Sequence, residues 1–270
     1  MTAAAKRATF KSLHAAGCFV IPNPWDVGSA RYLAHLGFKA LATTSSGFAW
    51  SHGAADGAMA LEATLAHLQS LAAATALPLN ADFEHGFADD AEGVAQNVAK
   101  ACATGIAGLS IEDSTKHDAD PLYAIAEGVA RIRAARTAID AAGGGVLLTG
   151  RAEGFFVGRP DLDDVIARLK AYADAGADCL YAPGLKTDAQ IAAVVKAVAP
   201  KPVNVLIPSP GVTVEHLAAL GVRRVSLGGA LARAAWGEFI RAAGEIAGHG
   251  TFKRLGQAAA GPDLNSLMAG

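Results

Sequence analysis

Two carboxylates stand two residues apart in the stretch Leu79–Gly86, L-N-A-D-F-E-H-G, just past the short apolar run Ala76-Leu77-Pro78-Leu79. On an extended backbone alternate side chains share a face, so Asp82 and Glu84 point the same way. Like charges placed side by side repel unless something positive lies between them. A hard divalent cation, Mg²⁺ or in its place Mn²⁺, meets that need, because it takes oxygen ligands from one or two carboxylates and keeps several waters. Glu112 is a third acid that can join such a site, some of the acids acting through water. Asp56, in G-A-A-D-G, is a candidate for the outer shell. Arg151 offers a planar fork of donors suited to a carboxylate or a phosphonate. Ser45, Ser46 and Gly47 form a small-residue loop whose N–H groups and hydroxyls suit the same kind of anion. Together these groups describe a site for a small 2-oxo acid, in which a metal ion chelates the keto and carboxylate oxygens and stabilises an enolate.

Such residues need elements that bring them together. Along the chain, Ala-rich helical segments end at a glycine, and a β-prone run begins two or three residues later. Gly17 precedes Cys18–Ile21, Gly37 precedes Ala40–Thr43, Gly105 precedes Leu109–Glu112, Gly143 to Gly145 precede Val146–Thr149, Gly176 precedes Cys179–Ala182, and Gly221 precedes Arg224–Leu227. With the runs at Leu77 and at Val203–Ile207, eight short strands alternate with helices. That alternation implies parallel βαβ units, and eight of them imply an α/β protein of the closed (β/α)₈ TIM-barrel type. An open doubly wound sheet is the runner-up, but no Gly-rich phosphate fingerprint follows the first strand. In a parallel barrel, function gathers at the C-terminal ends of the strands. The polar residues fall there: Thr43 to Gly47, Asp82 to His85, Glu112-Asp113, Arg151-Ala152-Glu153, Tyr181, Asn204 and Ser226. Asp113, Tyr181 and Ser226 read as capped strand ends. For the set as a whole, three or more acids and an arginine converging on one rim are costly without a ligand.

The chain has 270 residues, 52% hydrophobic and 18% charged, with a formal net charge of −2. This is enough for one barrel-sized domain, expected over residues 1–250, with 251–270 as a C-terminal tail. The absence of a Lys/Arg run argues against a nucleic-acid partner. No apolar run approaches the roughly 20 residues of a membrane span, and the N-terminus lacks a signal-peptide core. Cys18, Cys102 and Cys179 are widely spaced in apolar surroundings and read as reduced thiols of a cytoplasmic protein.

Six pieces in order resemble the isocitrate lyase and phosphoenolpyruvate mutase superfamily: P-N-P-W-D-V-G-S-A-R, T-T-S-S-G-F, A-D-F-E-H-G-F, S-I-E-D, G-R-A-E-G-F and the asparagine of P-V-N-V. The resemblance runs from about Cys18 to Phe239. It implies a (β/α)₈ barrel whose last helix is exchanged between subunits of a homo-oligomer, a dimer or tetramer, and a Mg²⁺-dependent enzyme that makes or breaks a C–C or P–C bond beside a small carboxylic acid. On that resemblance Asp82 is the direct metal ligand, and Asp56, Glu84 and Glu112 act through water. Ser46, Gly47 and Phe48 form the carboxylate-binding loop, Arg151 is the substrate arginine, and Asn204 lies on the substrate side.

Two departures stand out. The second acid of the D-x-D motif is Glu84, a longer side chain. The loop after Glu112, with Lys116, His117, Asp118, Asp120 and Pro121 between Ser114 and Tyr123, lacks the K-x-C-G-H of the C–C lyases. Lys116 and His117 are its acid–base candidates, but a polar segment of this kind reads first as a solvated, mobile loop. Glu112 or Glu153 is the preferred proton source. The leading expectation is a C–C lyase for a 2-oxo or hydroxy acid. The alternatives are a phosphoenolpyruvate mutase or phosphonopyruvate hydrolase, and a 2-oxo acid binding protein with little activity. The segment Leu231–Ile246 is expected to be helical with Leu231, Ala235 and Phe239 on one face and Trp236 off that stripe.

Overall fold

The computed structural model describes residues 1–117, 119–207 and 210–269. Asp118, one of the loop residues named above, lies outside them. Eight parallel strands, β1 (Phe19–Ile21), β2 (Leu41–Ala42), β3 (Leu79–Asp82), β4 (Gly108–Glu112), β5 (Leu147–Arg151), β6 (Cys179–Tyr181), β7 (Val203–Leu206) and β8 (Arg224–Ser226), run in the spatial order β1-β8-β7-β6-β5-β4-β3-β2. The two ends of that order meet at a seam. There the Ala42 N–H donates to Pro22 O at 3.0 Å and Asn23 Nδ2 donates to Thr43 O at 2.7 Å. The result is a (β/α)₈ TIM barrel, as the alternation of apolar runs predicts.

The helices between strands are α2 (Val27–His35), α3 (Ser45–Ser51) and α4 (Leu61–Ala74), α5 (Ala91–Ala103), α6 (Ile125–Ala141), α7 (Leu162–Asp174), α8 (Asp188–Val198) and α9 (Val214–Ala219). Their glycine stops are left-handed where the chain turns back into a strand, as at Gly37 (φ 82°) and Gly176 (φ 110°). The helices press Leu68, Leu71, Val94, Val98, Ile132, Ile139, Val165, Leu169 and Val194 onto the outside of the sheet, all fully or nearly fully buried. Each such side chain contributes about 1.5–3 kcal/mol of transfer free energy.

One element departs from the sequence reading. Ser45–Ser51, expected as a loop, is a helical turn, because the Thr44 hydroxyl caps it by accepting from Gly47 N.

The N-terminal helix α1 (Ala3–Leu13) closes the bottom of the barrel. Phe10 is fully buried there, and the His14 ring packs edge-on against Phe10 and Phe19. Arg224, buried in the barrel, donates to Asn204 Oδ1 (2.8 Å) and Thr149 Oγ1 (3.1 Å), and its third edge faces His14 Nε2 at 3.2 Å. A guanidinium only donates, so Nε2 must accept and the His14 proton sits on Nδ1, which donates to Phe10 O at 2.8 Å. Burial, reinforced by Arg224, pushes the His14 pKa down to about 3.

After β8 comes α10 (Ala230–His249), of which only Ala232 is buried. Of the stripe expected from the sequence, Leu231 is half-buried against the core while Ala235 and Phe239 (61% exposed) stay open in the single chain; Trp236, off that stripe, is 40% exposed, and Ile240 62%. A 3₁₀ turn (Lys253–Gln257) and α11 (Gly261–Met268) follow. The last of these returns to α2, where Arg31 Nη1 donates to Met268 O at 2.6 Å. No helix among the described residues is long and apolar enough to cross a membrane.

Candidate active site

β3, β4 and β5 end side by side, and their last residues meet. Arg151, the last residue of β5, reaches across the rim. Its Nη1 lies 3.1 Å from Asp82 Oδ1 and 3.2 Å from Glu112 Oε2, and its Nε donates to Glu153 Oε1. Its guanidinium carbon sits 5.2 Å from the Tyr181 ring centroid. Burial works against the Arg151 charge, but Glu153, Glu112 and Asp82 outweigh it and raise its pKa well above the ordinary arginine value. Among the described residues, Nη2 has no protein partner.

Asp82 is also held from β2. Its N–H donates to Thr43 Oγ1 (2.8 Å), and its Oδ2 accepts from the Ser45 N–H (3.1 Å). Ser45, Ser46 and Gly47 therefore lie beside the acids. Gly47 is needed there by close approach: a β-carbon on it would stand 2.7 Å from Thr44 Cγ2, 3.0 Å from Trp25 Cβ and 3.3 Å from Ala232 Cβ of α10. A β-carbon on Gly229, which caps α10, would stand 2.7 Å from Ser46 Oγ.

Glu84 follows β3 in a left-handed conformation (φ 45°) that glutamate rarely adopts. It is buried, and Lys116 returns over it from the next loop, with Nζ 3.2 Å from Glu84 Oε2 and 2.7 Å from Glu112 Oε1. Lys116 is itself left-handed (φ 64°), two residues past Ser114, which bridges to Leu122 at the base of this hairpin. The solvated-loop reading is thus corrected for Lys116: two buried carboxylates hold its ammonium and raise its pKa against the cost of burial. His117 is exposed, and its ring makes no hydrogen bond among the described residues.

Burial pushes Glu84 up to about 7, against Lys116 and helped by Asp82 and Glu112. Burial likewise pushes Glu153 up to about 7, against Arg151 and helped by Glu112. Glu112 is fully buried too, but Arg151 and Lys116 outweigh that and hold it below the usual carboxylate range.

The other expected residues fall as follows. Asp56 is exposed in the turn after α3. A β-carbon on its neighbour Gly57 would lie 3.8 Å from Glu84 Oε2, so that turn reaches the site. Phe48 stacks on His67 of α4, with centroids 3.9 Å apart. Both line a recess whose walls include Thr43, Ser45, Asp82 and Glu84. Asn204 is 1% exposed, between Arg224 and Ser226 Oγ, to which its Nδ2 donates at 2.9 Å. Asp113 supports the site from behind, accepting from the Glu153 N–H (2.8 Å), the Tyr172 hydroxyl (2.7 Å) and Arg168 Nη1 (3.0 Å).

Sequence reasoning named Lys116 only as an acid–base candidate of a loop read first as solvated, and it missed His67. The i,i+4 spacing of Glu112 and Lys116 was the available signal for the first; nothing in the sequence marks the second.

A parallel (β/α)₈ barrel with acids and an arginine converging at the C-terminal strand ends is, as a class, an enzyme architecture. The comparisons narrow the class. The family model for phosphoenolpyruvate phosphomutase matches residues 10–247. An uncharacterised Mycobacterium tuberculosis protein, Rv1998c of strain H37Rv, is 36% identical over 224 residues, 82% of this chain and 81% of its own. The oxaloacetate decarboxylase of Rhodopseudomonas palustris strain BisA53 is 35% identical over 136 residues, 48% of this chain and 45% of its own. Among solved structures, a Burkholderia cenocepacia J2315 protein described as a lyase/mutase matches with 49% identity and a TM-score of 0.96, over 99% of this chain and 98% of that one. Oxaloacetate acetylhydrolase in complex with its product oxalate matches with 26% identity and a TM-score of 0.88, over 98% and 94%. The chain belongs to the phosphoenolpyruvate phosphomutase family, within the isocitrate lyase and phosphoenolpyruvate mutase superfamily, and is an enzyme of that lyase and mutase type.

Members of the superfamily generally depend on a divalent metal. The donor set here fits one. Asp82, Glu84, Glu112 and Glu153 face two cations, Arg151 and Lys116, so the acids outnumber the bases that meet them. All the donors are hard oxygens. Among the described residues no three such side chains converge on one point.

Proposed function

We propose that this chain is a Mg²⁺-dependent lyase, Mn²⁺ serving as well, that cleaves a C–C bond in a small 2-oxo or hydroxy carboxylic acid by way of an enolate. The observation that carries the reading is Arg151: three carboxylates fix its Nε and Nη1, and Nη2 is left for a substrate carboxylate. The oxaloacetate decarboxylase and oxaloacetate acetylhydrolase similarities point to the same substrate class.

In this reading Asp82, with Glu84, Glu112 and Asp56 around it, would hold the metal. A bound divalent cation supplies positive charge beside the oxygens on which negative charge develops. Arg151 Nη2 pairs with the substrate carboxylate, and Ser45, Ser46 and Gly47 hold the same end of the molecule. Phe48 and His67 shape the recess beside it, and Asn204 contributes through Ser226.

Bond cleavage leaves a carbanion equivalent that needs a proton. The described thiols lie elsewhere: Cys102 is on α5 and Cys179 starts β6. Glu153 is suited to the task. Its Oε1 accepts from Arg151, its Oε2 has no partner among the described residues and can carry the proton, and a pKa of about 7 keeps a protonated fraction at neutral pH.

The enzyme works in the cytoplasm, where its three free thiols stay reduced. It assembles as a homo-oligomer through α10.

A panel of 2-oxo and hydroxy acids, oxaloacetate first, with Mg²⁺ or EDTA, tests the reading. Release of pyruvate, glyoxylate or oxalate that stops with EDTA and in Asp82→Ala is the expected result. Inorganic phosphate from phosphonopyruvate would instead favour P–C chemistry. Binding without turnover would reduce the chain to a 2-oxo acid binder, a reading favoured by the absence of a thiol at the rim.

A further inference from the structure

Every main-chain carbonyl from His85 to Asp89 accepts a hydrogen bond from one of two side chains. Asn97 Nδ2, on α5, donates to Gly86 O (3.0 Å) and Phe87 O (2.9 Å). Arg131, on α6, donates through Nη2 to His85 O and Ala88 O, both at 2.6 Å, and through Nη1 to Asp89 O at 3.0 Å. Arg131 is 1% exposed, and no carboxylate pairs with it among the described residues. Its Nε has no partner, and its guanidinium carbon lies 4.1 Å from the centroid of Tyr123, at the foot of the hairpin that carries Lys116.

A guanidinium buried without a counter-ion is costly. Here carbonyl dipoles and a ring face supply the negative side. What they hold is a strained segment: Glu84, Gly86 and Phe87 are all left-handed, at φ 45°, 84° and 54°. Strain of that kind persists only where the surroundings over-determine it. On the far side, the Glu84 carbonyl accepts from the Glu112 N–H at 2.9 Å.

We infer that Arg131, seconded by Asn97, is a positioning residue: it clamps the 85–89 loop so that the Glu84 carboxylate stays at the rim, and through Tyr123 it ties that loop to the Lys116 hairpin. The clamp stands on these contacts alone; only its effect on metal binding rests on the proposed function.

Two variants test it. Arg131→Lys keeps the charge but cannot aim three donors in a plane. Arg131→Ala opens space for a free guanidinium ion where the Arg131 side chain packs among Ile111, Gly128, Ile132 and Tyr172. Hydrogen exchange followed by mass spectrometry reads the loop, and Mn²⁺ titration by electron paramagnetic resonance reads the acid site.

Expected in Arg131→Lys are exchange about tenfold faster in peptides covering Phe83–Asp90, with β4 and β5 still protected, and Mn²⁺ affinity about tenfold weaker. In Arg131→Ala, millimolar guanidinium restores both and methylammonium does not. Unchanged local exchange in Arg131→Lys overturns the clamp, as does loosening spread evenly over the barrel. If Arg131→Ala fails to fold, the Lys variant decides. If the wild type binds no Mn²⁺, the metal reading falls and the exchange result alone decides the clamp.

Discussion

Arg151 commits two of its donor edges to acids and keeps the third. Arg151→Lys retains a charge but loses the fork, so a 2-oxo acid ligand should bind about 1–3 kcal/mol more weakly in calorimetric titration. Unchanged affinity would mean that the arginine serves only the acids around it. Lys116 makes the opposite case. Its ammonium sits between Glu84 and Glu112, where a divalent ion would also be drawn. Lys116→Met should therefore tighten Mg²⁺ or Mn²⁺ binding about tenfold, roughly the Coulomb term for one charge at this range; equal or weaker binding would show that the lysine does not compete. At this scale the sequence was legible where residue type and strand-end position coincide, as for Asp82, Glu112 and Arg151. The pairing of Lys116 with two acids was not legible, because a left-handed residue turns the chain back over the site, and Arg131 escaped because its partners are carbonyls 42 to 46 positions away.

Among the elements, the eight strands could be read because a glycine stop and an apolar run mark six of them, and an apolar run alone marks the other two. The α3 turn could not, since T-T-S-S-G suits a loop until Thr44 caps it. The α1 plug carries a pH dependence of its own. His14 has a folded pKa of about 3 against about 6.5 unfolded. Below pH 6.5 the unfolded chain takes up a proton that the folded chain refuses, so stability falls as pH drops from 6.5 towards 3 and levels off below. Between pH 7 and pH 4 this amounts to about 3 kcal/mol, at about 1.4 kcal/mol per pKa unit. Urea unfolding of the wild type and of His14→Phe should diverge in pH slope by that amount. Parallel profiles would mean that His14 protonates freely in the fold.

At the scale of the whole molecule, a 20-residue helix that buries only Ala232 and exposes Trp236, Phe239 and Ile240 together does not belong to a finished surface. Sedimentation at micromolar concentration should give a dimer or tetramer, and Phe239→Glu combined with Ile240→Glu should give a folded monomer. A monomeric wild type would refute the assembly. The barrel was legible because its repeat is local; the apolar stripe of α10 carries in one chain no mark of what covers it.

The contact of Gly47 with Ala232, and of Ser46 with Gly229, places the first turn of that same helix against the loop assigned to the substrate carboxylate. Whatever seats α10 therefore also seats Ser46 and Gly47. Turnover per subunit should then follow the degree of assembly: it should fade on dilution through the dissociation range and return on reconcentration. Assays run at nanomolar enzyme would measure association as much as chemistry.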